Sequence, residues 1–153
     1  MKLLNLVIVF LAINFAALAI GSWLMNNGTQ TAWYENLNQA PWTPPGWVFG
    51  VAWTTIMVCF SIYMAYLYKA FPTNKVITLF IIQFICNIIW NYIFFNQHLI
   101  GLGLFVIILL TLIITAFIFS YTKQLKFKSI LILPYFIWLC IATSLNAYIL
   151  INN

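Results

Sequence analysis

Five long apolar runs, at residues 3–24, 46–68, 76–95, 101–121 and 130–151, constrain this chain more than any other feature. A helix needs about 20 apolar residues to cross a hydrocarbon core, and each run meets that length. The runs are continuous rather than alternating, which points to helices and away from a barrel of strands with roughly 10-residue alternation. With 65% hydrophobic and 5% charged residues, the chain departs sharply from a soluble domain. The expected fold is all-α: one integral membrane bundle of five transmembrane helices over residues 1–153, with residues 25–43 as its longest loop. No internal repeat divides it. The first run, with Lys2 ahead of it and Ala17 and Ala19 near its end, has some features of a signal peptide. Its length exceeds a usual signal core of 7–15 residues, so a retained helix is expected.

Charge sets the expected orientation. The net charge is +5, and every cation other than the amino terminus is a lysine: Lys2, Lys69, Lys75, Lys123, Lys126 and Lys128. With five spans, all six fall on one side. By the positive-inside rule the amino terminus is cytoplasmic and the carboxyl terminus outside, as suits a bacterial plasma membrane. The basic residues thus report topology and attraction to membrane lipid, with no nucleic-acid partner expected.

The same counts restrict chemistry. Glu35 is the sole carboxylate side chain and His98 the sole imidazole. Paired carboxylates, a Ser-His-Asp triad or a His/Asp/Glu metal cluster cannot be assembled within one chain, so neither an enzyme nor a metal site is expected. Buried acids for ion pumping are missing from the spans. His98 is expected at the membrane interface. Cys59, Cys86 and Cys140 lack paired spacing and read as free thiols.

What remains is aromatic surface and neutral amides. In the third run Gln83, Asn87 and Asn91 recur every four residues, with Trp90 and Phe94 on or beside that stripe. Amides are costly in hydrocarbon unless bonded, so the stripe should face the bundle interior, as helix-to-helix bonds or as the wall of a ligand cavity. Phe49, Trp53 and Phe60 share a face of the second run, and Tyr135, Trp138 and Ala142 lie on the fifth. In "APWTPPGWVFGVAW", Pro41, Pro44 and Pro45 stiffen the approach to the second helix. Gly46 and Gly50 offer a small-residue face for close helix packing, and Trp42 and Trp47 suit interfacial anchoring. Ala12, Ala16, Gly101 and Gly103 are further candidates for close contacts. The preceding loop, with Trp33, Tyr34 and Glu35, is placed as a lid over the outer mouth.

Three stretches, "WYENLNQAPWTPPGWVFGVAW", "CNIIWNYIFFNQHLIGLGL" and "LPYFIWLCIATSLNAYILINN", resemble the signature regions of the TspO/MBR family, the tryptophan-rich sensory and translocator proteins. The resemblance covers essentially the whole chain. It implies a five-helix bundle, usually a homodimer, that needs no cofactor. As ligands it implies tetrapyrroles such as protoporphyrin IX and haem, and drug-like or lipid molecules. It assigns Tyr34 and Pro44 to the lid and its hinge, and Trp53, Asn87, Trp90, Phe94, Trp138 and Ala142 to the ligand cavity; Phe49, on the same helix face as Trp53, is the further ligand-binding candidate that spacing adds. Trp53 and Trp138 match the pair associated with light-dependent porphyrin degradation in some bacterial members. Two departures stand out: no basic residue follows Tyr148, where animal relatives carry a sterol motif, and Gln39 occupies a loop position often held by lysine. The expected function is binding or sensing of flat apolar ligands. The alternatives are a porphyrin or lipid transporter, or a regulatory subunit acting through protein partners.

Overall fold

The structure, a computed structural model, describes residues 2–153 and is all-helical. Five long helices dominate: α1 (Leu3–Leu24), α3 (Gly46–Ala70), α4 (Asn74–Asn91), α5 (Ile100–Leu125) and α6 (Leu133–Asn152), with a 3-10 turn (Gly28–Gln30) and a short helix, α2 (Ala32–Glu35), in the loop between α1 and α3. Each long helix overlaps one of the five apolar runs, with ends that differ by a few residues. Four stretches among the described residues, 3–30, 46–70, 74–96 and 100–152, are long and apolar enough to cross a membrane. The last of these contains both α5 and α6, because 126–132 stays coiled as a 3-10 segment and does not open into a loop. The two helices are nonetheless antiparallel: Thr111 and Thr143 hydroxyls meet at 3.3 Å, and a Cβ on Gly101 would lie 3.8 Å from Leu150.

Local chemistry explains the ends. Pro45 precedes α3, where a missing amide hydrogen costs nothing. Thr73 caps α4 by accepting from the Val76 amide at 3.4 Å, and Pro134 sits in the first turn of α6. The end of α4 is less regular. It widens into a π turn over Tyr92–Asn96, with the Gln97 amide donating to the Tyr92 carbonyl at 3.0 Å, and His98 then takes a left-handed conformation (φ 57°).

The core is aromatic. Phe60, Tyr63, Phe117 and Tyr135 are fully or almost fully buried where α3, α5 and α6 meet, and Phe60 has ring neighbours in Tyr63, Phe80, Phe117 and Tyr135 at 5.2 to 6.2 Å. Two buried polar pairs join helices. Asn14 on α1 donates to the Ser61 hydroxyl on α3 at 2.8 Å, and the Tyr135 hydroxyl on α6 donates to Gln83 on α4 at 3.1 Å. The outward faces of α1, α4 and α5 carry exposed Leu, Ile and Phe, as lipid-facing helices do.

Candidate functional site: a lidded cavity between three helix ends

α1 ends, α3 begins and α4 ends at the same end of the bundle, and their last or first turns diverge around a cavity of about 310 Å³. α1 supplies Ala17, Leu18 and Ser22; α3 supplies Gly46, Phe49, Gly50, Trp53 and Thr54. Asn87, Trp90 and Asn91 of α4 close the third side, with Phe95, Met25 and Thr29 at the top. A second hollow of about 460 Å³ lies directly under the loop, walled by residues that include Tyr34, Gln39, Thr43 and Pro44. The two share Thr29, Gly46 and Phe49. Ligand pockets run from about 300 to 1,000 Å³, so the inner cavity sits at the lower limit and the pair reaches well inside the range.

The loop is held over this end as the sequence suggests. Asn26, Asn27 and Gly28 turn the chain through positive φ, and Thr31 caps α2, accepting from the Tyr34 amide at 3.4 Å. Tyr34 is buried against Phe94 and Phe95, and burial pushes its phenol above the usual value. Trp33 stacks on His98 with ring centroids 4.0 Å apart. His98 is therefore exposed, as expected at an interface, but carries one face of the lid. At the other edge Asn38 binds the end of α6: its amide nitrogen donates to Asn153 Oδ1 and its side chain to the Asn152 carbonyl, both at 2.9 Å.

Residues 8–151 match the sequence pattern of the TspO/MBR family. The chain belongs to the TspO/MBR family. It is 32% identical to Protein CrtK of Rhodobacter capsulatus over 75% of this chain and 74% of that one. It is 31% identical to the tryptophan-rich protein TspO of Archaeoglobus fulgidus, covering 100% of this chain and 97% of the relative. With the human translocator protein the identity is 27%, over 78% of this chain and 74% of the human one.

The expected site residues divide by position. Phe49, Trp53, Asn87 and Trp90 meet at the inner cavity, and Tyr34 and Pro44 line the hollow above it. Phe94, Trp138 and Ala142 stand one layer back. Phe94 lies beneath the lid, stacked on Trp90 at 5.5 Å and edge-on to Trp33; Trp138 packs edge-on to Phe49 at 5.3 Å; Ala142 is buried in α6. The amide stripe also splits. Gln83 is occupied by Tyr135, and Asn91 donates to the Asn87 carbonyl within its own helix, which leaves the Asn87 side chain at the cavity.

Two expectations from the loop are corrected. Gly46 and Gly50 do not pack against another helix: a Cβ at either would meet nothing within 4 Å, because both face the open cavity. Trp42 is more than a headgroup anchor, since its indole donates to Ser144 Oγ at 3.1 Å and its ring meets Tyr148 edge-on. Trp47, exposed and without such a partner, fits the anchor role. The contribution of α1 was not legible beforehand. Ala17, Leu18 and Ser22 belong to a mostly apolar run whose few polar residues mark no single face for the site, and only the register of α1 against α3 brings them there.

Proposed function

We propose that this TspO/MBR protein spans the membrane five times and binds porphyrins, such as protoporphyrin IX or haem, and related flat apolar molecules in the cavity under its lid. The carrying observation is the convergence of Phe49, Trp53 and Trp90 with the Asn87 amide on one space open toward the lid. Flat aromatic walls bind a macrocycle by stacking and dispersion, without charge. A homodimer in a bacterial plasma membrane completes the proposal. The chain acts as a binding or sensing protein, not as an enzyme, because the sole carboxylate side chain and the sole imidazole both lie outside the cavity wall. The relatives' names, a tryptophan-rich sensory protein among them, are in keeping with that reading.

The test is a titration of the purified protein with protoporphyrin IX, followed by tryptophan quenching. Saturable quenching is expected, weakened roughly tenfold, about 1.4 kcal/mol, by Trp53→Phe and abolished by Gly50→Phe, whose ring would occupy open space. Quenching that does not saturate, or that Gly50→Phe leaves intact, would sink the proposal. Illumination of the complex tests the degradation associated with Trp53 and Trp138. Trp53 touches the cavity and Trp138 lies behind Phe49, so any light-driven loss of porphyrin absorbance should depend more on Trp53.

A further inference from the structure

The walls of the two hollows are polar in places but carry no charge. Among the described residues, none that lines either space is Lys, Arg, His, Asp or Glu. All six lysines lie at or beyond the opposite ends of the helices: Lys2 precedes α1, Lys69 lies in the last turn of α3, Lys75 opens α4, and Lys123, Lys126 and Lys128 surround the end of α5. Apart from the neutral phenol of Tyr34, the lid carries Glu35, which is exposed and would repel an anion, and meets His98, which is stacked on Trp33 and lines neither hollow. Helix dipoles do not make up the difference. The amino end of α3 at Gly46 favours an anion, but the carboxyl end of α1 at the same mouth opposes it. An ionised carboxylate brought into this space would lose hydration without gaining a counter-charge, a cost that ordinary hydrogen bonds only partly offset.

We propose that the linked hollows select flat ligands by absence of charge: an uncharged ring system enters, and ionised carboxylates reduce affinity. This rests on the porphyrin-type site proposed above and names the ligand class within it. A porphyrin that binds as the free acid would then keep its carboxylates at the lid-side mouth, in water.

The experiment compares protoporphyrin IX with its uncharged dimethyl ester, each titrated into the full-length protein in neutral-lipid nanodiscs at low and high salt. Gly50→Phe is run in parallel to subtract partition into lipid. The ester is expected to bind at least as tightly as the diacid, and diacid affinity to be insensitive to salt. Thr29→Lys, which places a cation in the wall shared by both hollows, should tighten the diacid about threefold or more in low salt and leave the ester unchanged. A diacid that binds about tenfold tighter than the ester, or that weakens with salt in the original chain, overturns the charge rule while leaving the site in place. If neither form shows saturable binding sensitive to Gly50→Phe, the site itself fails and the rule falls with it.

Discussion

At the scale of single residues, the amides show how far spacing can be read. Gln83, Asn87 and Asn91 do share one inward stripe, as four-residue spacing requires, yet Gln83 bonds Tyr135, Asn91 bonds back to its own helix and the Asn87 side chain faces the cavity. Spacing fixes the face of a helix; which neighbour stands opposite is set by packing of the other helices. Tyr34 gives a residue-scale prediction. Burial raises its pKa above the free-phenol value of about 10, so the neutral phenol is the form that docks on Phe94 and Phe95. Its contribution to lid closure is fully present below pH about 10 and is lost as pH rises through the raised native value. Acrylamide quenching of tryptophan emission should therefore increase above pH about 10 in the original chain, and Tyr34→Phe should remove that increase. An equal rise in both proteins would show that other groups open the lid.

At the scale of elements, the number and extent of the long helices were legible because each is an apolar run bounded by Pro, Thr or Lys. The π turn after α4 was not, since one widened turn leaves no mark in hydrophobic spacing. It matters to the site, because it swings Phe94 inward to carry the lid. The turn is locked by α5: a Cβ on Gly103 would lie 3.0 Å from Phe94 Cδ2 and 3.2 Å from its Cβ. Of the small residues that the sequence offered for close contacts, Gly103 is one that makes such a contact, while Gly46 and Gly50 border open space. Gly103→Val should force Phe94 and the turn apart, costing about 1–3 kcal/mol as overpacking does. Thermal unfolding in detergent should register that loss. Gly50→Val, facing the cavity, should leave the midpoint almost unchanged. Equal destabilisation by both would contradict the packing described for α5 against the π turn.

At the scale of the whole molecule, charge and tether together define two different ends. The lid and the end of α6 are joined through Asn38, Asn152 and Asn153, and Asn153 returns a bond to the Asn38 carbonyl at 3.3 Å, so both belong to one side of the bundle. The lysines gather at the other side, where Lys128 also lies 4.2 Å over the ring of Tyr66. If the five long helices all cross the bilayer, the positive-inside rule puts the lysine end in the cytoplasm and the lid outside. Single cysteines at Asn36 and Asn153, in a chain with Cys59, Cys86 and Cys140 replaced by alanine, should react with a membrane-impermeant thiol reagent added to intact cells. A cysteine at Lys126 should react only after the cells are opened. The opposite pattern would place the cavity mouth in the cytoplasm. Labelling of Asn36 and Asn153 from different sides would break the tether that the structure draws between lid and α6, and with it the account of what holds the lid closed.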